Sequence, residues 1–136
     1  MSGIEMALAT AAVNVASKEF AQWIKDRGPD LSESDWKQAG QPVVRQIQAA
    51  YEQHQAGNRP TGERVQQQLQ QGGLVFRELA IIGENRDLDE SITSLYEEFA
   101  DACAEWERSP ELDLGTEPAG EAERFYDLCE EYQRVV

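Results

Sequence analysis

Histidine occurs once in this chain and cysteine twice, at His54, Cys103 and Cys129. Those scarcities close off much chemistry. With one histidine, no Ser-His-Asp or Cys-His relay can be assembled by choosing among partners. His54 stands near a helix end beside Gly57-Asn58-Arg59-Pro60, the place of a surface residue or a charge partner for the helix C-terminus. The cysteines are 26 residues apart, with no further Cys or His at zinc spacing. They read as reduced, buried thiols, and a disulfide would need their helices in one particular register. Neither a Gly-x-Gly-x-x-Gly turn nor a P-loop is present. The expectation is a chain that is not an enzyme and uses no metal or cofactor.

Long apolar runs are missing too. No stretch of about 18 uninterrupted apolar residues could form a constitutive membrane span. The order of charged, apolar and small-residue regions that marks a secretory leader is absent. A soluble, cytoplasmic protein is expected. Basic residues are few, 12 against 26 acids, for a net charge of -14. Phosphate contacts need clustered Lys and Arg, so nucleic acid is excluded as a partner.

The charge is unevenly distributed. Residues 1–27 are balanced, residues 28–83 carry one net negative charge, and residues 84–136 hold seventeen acids against four bases. Either that half presents a solvated face or it meets a basic protein. The residues for the second alternative are Glu97, Glu98, Asp101, Glu105, Glu123, Asp127 and Glu130. It describes an acidic adaptor, an immunity protein or a DNA-mimicking inhibitor. Glu98 with Asp101, and Asp127 with Glu130 and Glu131, share helix faces, but the Glu-x-x-His of a di-metal bundle is absent.

What is present is helical. At 136 residues, 40% hydrophobic, with three Trp, four Tyr and four Phe, the chain can bury one core. Apolar residues recur at three and four positions, not two. The spacing predicts an all-α single domain over 1–136, a bundle of about five helices near 4–26, 33–56 (broken at Pro42), 62–82, 88–107 and 118–134. Ser32 can cap the Asp35 amide. Gly72-Gly73 interrupts a continuous stripe, predicting a kink or a close helix approach, and Gly83 is read as a stop. Phe99, Cys103 and Trp106, with Phe125, Cys129 and Tyr132, should form the core together with the N-terminal helix.

The first 27 residues differ from the rest. Met6 to Ser17 carries no charge, Glu5 precedes it, and Phe20, Trp23 and Ile24 prolong its apolar stripe. One reading is an Ala-rich helix surrounded by others. The other is a conditional membrane segment, since 22 helical residues reach about 33 Å. Lys18 and Glu19 oppose the latter, because a charge at mid-bilayer is costly.

The opening Met-Ser-Gly-Ile-Glu-Met-Ala-Leu-Ala-Thr-Ala-Ala resembles the start of HeLo-like helical cell-death domains. These include fungal HeLo domains, the bacterial Bell domains, and the N-terminal bundles of immune receptors and necroptotic effectors. The resemblance covers about the first 25 residues, together with length and helicity. It implies a first helix freed on self-association that permeabilises membrane lipid, at the inner face of the cell membrane, and a further module beyond Val136. Glu5 would be the family's early acidic residue. The membrane and oligomerisation set is Ile4, Glu5, Leu8, Val15, Phe20 and Trp23. The acidic C-terminal helices depart from this pattern, because anionic lipid would repel them.

Overall fold

A computed structural model of the chain describes residues 17–56, 59–108 and 120–136. It is an all-α bundle, with no strand among the described residues. The helices are α1 (Lys18–Arg27), α2 (Glu33–Gln38), α3 (Gly40–Gln55), α4 (Arg59–Asn85), α5 (Glu90–Glu107) and α6 (Gly120–Val135), with a 3-10 turn at Gly28–Asp30.

Local chemistry sets most of the boundaries. Ser17 is extended, with φ -118° and ψ 162°, and its hydroxyl accepts the Phe20 amide at 3.1 Å. Ser32 accepts the Asp35 amide at 3.0 Å, as the sequence predicts. Asp89 accepts from Ser91 and Ile92. Each side chain satisfies amides that a helix start leaves without partners.

Three expected boundaries are corrected. The uninterrupted helix over 4–26 breaks at Ser17, whose extended backbone starts α1 afresh. Its residues 4–16 lie outside those described. The break in the second helical region falls at Ala39 rather than Pro42, which sits in the first turn of α3, where a missing N–H is tolerated. Gly83 does not end α4, which runs on to Asn85. A Cβ at Gly83 would lie 2.4 Å from Thr93 Oγ1 and 2.6 Å from Trp36 Cζ2, so this glycine marks a close approach of α2 and α5 to α4. Gly72-Gly73 resolves in the same sense. α4 passes through unbroken, and a Cβ at Gly72 would press on Ile47 Cδ1 at 2.7 Å.

The long α4 is central. α5 folds back along it, α3 and α1 pack on its other sides, and α6 packs on α5. The predicted core stripe is fully enclosed, with Phe99, Cys103, Trp106, Phe125 and Tyr132 all at 0% exposure. Phe76 of α4 stacks on Phe99 of α5 at 4.8 Å, and Phe99 meets Phe125 of α6 at 5.5 Å. α1 contributes Phe20 and Ile24 to the core. It docks chiefly on α4, not between the two C-terminal helices.

Candidate functional site

The candidate residues fall in two regions: the N-terminal junction and the acidic outer surface of α5 and α6. A buried tyrosine pair holds the frame between them.

The proposed membrane set divides. Ile4, Glu5, Leu8 and Val15 lie outside the described residues. Phe20 and Trp23 belong to the body: Phe20 is buried, and the half-buried Trp23 stacks on it at 5.9 Å. Phe20 could reach lipid only if α1 left the core. The other end of α1 is also anchored. Arg86 donates to the Gly28 carbonyl at 3.0 Å and the Leu31 carbonyl at 2.7 Å. Gly28 fits so closely that a Cβ there would lie 2.5 Å from Ile82 Cδ1.

The acidic residues behave as a surface. Glu97, Glu98, Asp101 and Glu105 on α5, and Glu123, Asp127 and Glu130 on α6, are all exposed. Three of the four arginines of residues 84–136 are engaged within the chain: Arg86 as above, Arg124 with Glu105 across α5 and α6, and Arg134 with Glu131 at 3.9 Å. Glu97 has its carboxyl pushed up from the ordinary range, first by a hydrogen bond shared with Glu84 of α4, then by slight desolvation and the charges of Glu84 and Asp101. Like charges this close mark an excess of negative potential. Asp127, Glu130, Glu131, Gln133 and Arg134 border an open depression on α6. Among the described residues no group of three or more His, Cys, Asp or Glu could hold a metal ion.

The sequence reading placed Tyr132 on an apolar stripe and missed what the hydroxyls of Tyr96 and Tyr132 do. Ala39 joins α2 to α3 without a side chain able to cap either. The hydroxyls do that work. Tyr96 of α5 accepts the Gly40 amide at 3.3 Å and donates to the Trp36 carbonyl at 2.6 Å. Tyr132 of α6 donates to the Lys37 carbonyl and lies 3.1 Å from the Tyr96 hydroxyl. Burial pushes both phenols up, Tyr132 to about 12. The Trp36 indole completes the frame by donating to the Leu79 carbonyl of α4 at 2.8 Å. The one signal in the sequence was Gly40 itself: a Cβ there would lie 2.7 Å from Tyr96 Cε1.

No protein-family model, curated protein or solved structure matches the chain.

Proposed function

We propose that the chain is a membrane-targeting cell-death or immune effector domain, whose apolar N-terminal segment permeabilises membranes after self-association. One observation carries the reading: the charge-free run ends on Ser17, and Ser17 starts α1 with its own hydroxyl. The body therefore has a helix start of its own at the point where the apolar run stops. The resemblance of about the first 25 residues to HeLo-like domains supports an N-terminal segment freed on self-association.

The break also limits the mechanism. No helix among the described residues is long and apolar enough to cross a membrane. Sixteen residues as a helix would reach about 24 Å, short of the roughly 30 Å hydrocarbon core. The segment then acts by inserting into one leaflet and assembling there, with α1 kept in the body. Trp23 reports on this, since Trp36 and Trp106 are fully buried while Trp23 is half-exposed.

The test is dye release from liposomes by the chain fused to a forced-oligomerisation tag. Leakage is expected. Deleting residues 2–16, or placing Asp at both Leu8 and Val15, should abolish it, and Trp23 emission should stay unchanged on lipid addition. Glu5→Gln should also abolish leakage at an unaltered melting temperature, if an ionised group serves the assembled state. Undiminished leakage from the deleted form would exclude the segment as the agent.

A second reading has its own observation, the excess acid on α5 and α6 with three of four arginines already engaged. It is a soluble acidic protein that binds a basic partner through residues 84–136. Such a complex weakens steeply with salt, because exposed charges are screened within about 8 Å at physiological ionic strength. Charge reversal at Glu97, Asp101 and Glu130 should then abolish salt-sensitive capture while leaving liposome leakage untouched.

A further inference from the structure

The seam between α5 and α6 carries two ring pairs. Phe99 meets Tyr132 edge-on at 5.7 Å, and Trp106 meets Phe125 at 5.6 Å. From Phe99 to Trp106 is seven residues forward, and from Tyr132 to Phe125 is seven residues back. The helices are thus antiparallel, and because Phe99 also meets Phe125 at 5.5 Å the rings interlock along the seam. Cys103 lies four residues past Phe99 and three before Trp106, and Cys129 lies three before Tyr132 and four past Phe125. That spacing puts both cysteines on the stretch of seam that these rings flank. Cys103 is 0% and Cys129 5% exposed, and both are free thiols. Their proximity is felt electrostatically: burial raises the Cys103 thiol most, and Cys129 raises it further.

We propose that Cys103 and Cys129 form a redox staple, in which hydrogen peroxide oxidises the pair to an intramolecular disulfide that joins α5 to α6. The less enclosed Cys129 sulfur, as thiolate, attacks one peroxide oxygen. The O–O bond breaks, a sulfenic acid forms, and the departing hydroxide takes up the thiol's proton as water. The Cys103 sulfur then attacks the sulfenic sulfur. The S–O bond breaks, the S–S bond forms, and the second hydroxide leaves as water with the Cys103 proton. Two thiols are oxidised and one peroxide is reduced to two waters. A molecule barely larger than water is the oxidant suited to an enclosed seam. Burial pushes the Cys129 thiol up to about 12, which keeps thiolate scarce, so the staple forms under sustained rather than basal exposure. This inference is independent of the membrane reading.

The test treats the native 136-residue chain with hydrogen peroxide. The expected product is a monomer lighter by two hydrogens, with Cys103 and Cys129 in one cross-linked peptide. Its melting temperature should rise by roughly 10 °C, as for a loop of this length, and dithiothreitol should reverse both changes. Cys103→Ala and Cys129→Ala should each keep their fold and show neither. Oxygen added to either cysteine without a cross-link, a disulfide-linked dimer, a cross-link that needs denaturant, or a cross-link without a thermal shift would each overturn the proposal.

Discussion

Single positions in this bundle are decided by how closely neighbouring atoms approach. Gly83 has Thr93 and Trp36 within 2.6 Å of where a Cβ would sit, and Trp36 is fully buried with its indole committed to Leu79. Gly83→Ala should therefore cost about 1–3 kcal/mol, as overpacking does. Gly73 is the contrast. A Cβ there meets Cys103 Cβ at 3.4 Å and the Ala100 carbonyl oxygen at 3.8 Å, both ordinary contacts, so Gly73→Ala should gain about 0.5–1 kcal/mol of helix propensity. Paired urea melts check both signs. Glu97 supplies a charge counterpart. Its folded carboxyl is raised, so the folded state holds the proton more tightly than the unfolded chain. The associated stability is present in acid and lost as pH rises through the carboxylate range. Glu97→Gln should raise the urea midpoint at pH 7 and give no gain at pH 3. A gain that persists in acid would place the effect elsewhere.

The start capped by Ser32 was legible in the sequence, because that side chain acts over three residues, whereas the cap at Ser17 was hidden inside a continuous apolar stripe. The break between α2 and α3 was legible near Pro42, but its place at Ala39 was not. Alanine has no capping group, and the hydroxyls that complete the break come from 56 and 95 positions away. Gly83 misled for a related reason: glycine often ends a helix, and only the packed structure shows that Trp36 and Thr93 crowd it. Of the candidate sites, the acidic surface was readable from charge counts and the N-terminal run from the absence of charge. That Phe20 belongs to the body was one of two readings left open, since an apolar stripe does not say what it packs against. The break yields its own prediction. Tyr96→Phe leaves the Gly40 amide and the Trp36 carbonyl without that partner in a buried place, and should cost about 1–3 kcal/mol. Chemical denaturation of this variant measures the loss. A cost near zero would mean that Tyr132 alone serves the break.

The whole molecule gathers weak acids in its interior. Burial pushes Tyr126, Tyr132 and Cys129 to about 12, and raises Tyr96 and Cys103 as well. In the unfolded chain these groups lose protons near their ordinary values, about 8.5 for thiols and 10 for phenols. The unfolded state therefore releases protons first, and stability falls as pH climbs from about 9 towards 12. Urea midpoints should be level between pH 7 and 8 and drop sharply by pH 11, with tyrosinate absorbance rising on unfolding. A flat profile would contradict the enclosure of the phenols.

The packing order also fixes an order in time. α3 with α4, α4 with α5, and α5 with α6 are neighbours in the chain as well as in space, whereas α1 reaches past two helices to α4. Contacts between chain neighbours form early, because little loop entropy is lost in making them. α1 is therefore the last piece seated during folding. In the native state it should be the first to exchange its amide hydrogens, opening for brief intervals while α3, α4, α5 and α6 stay closed.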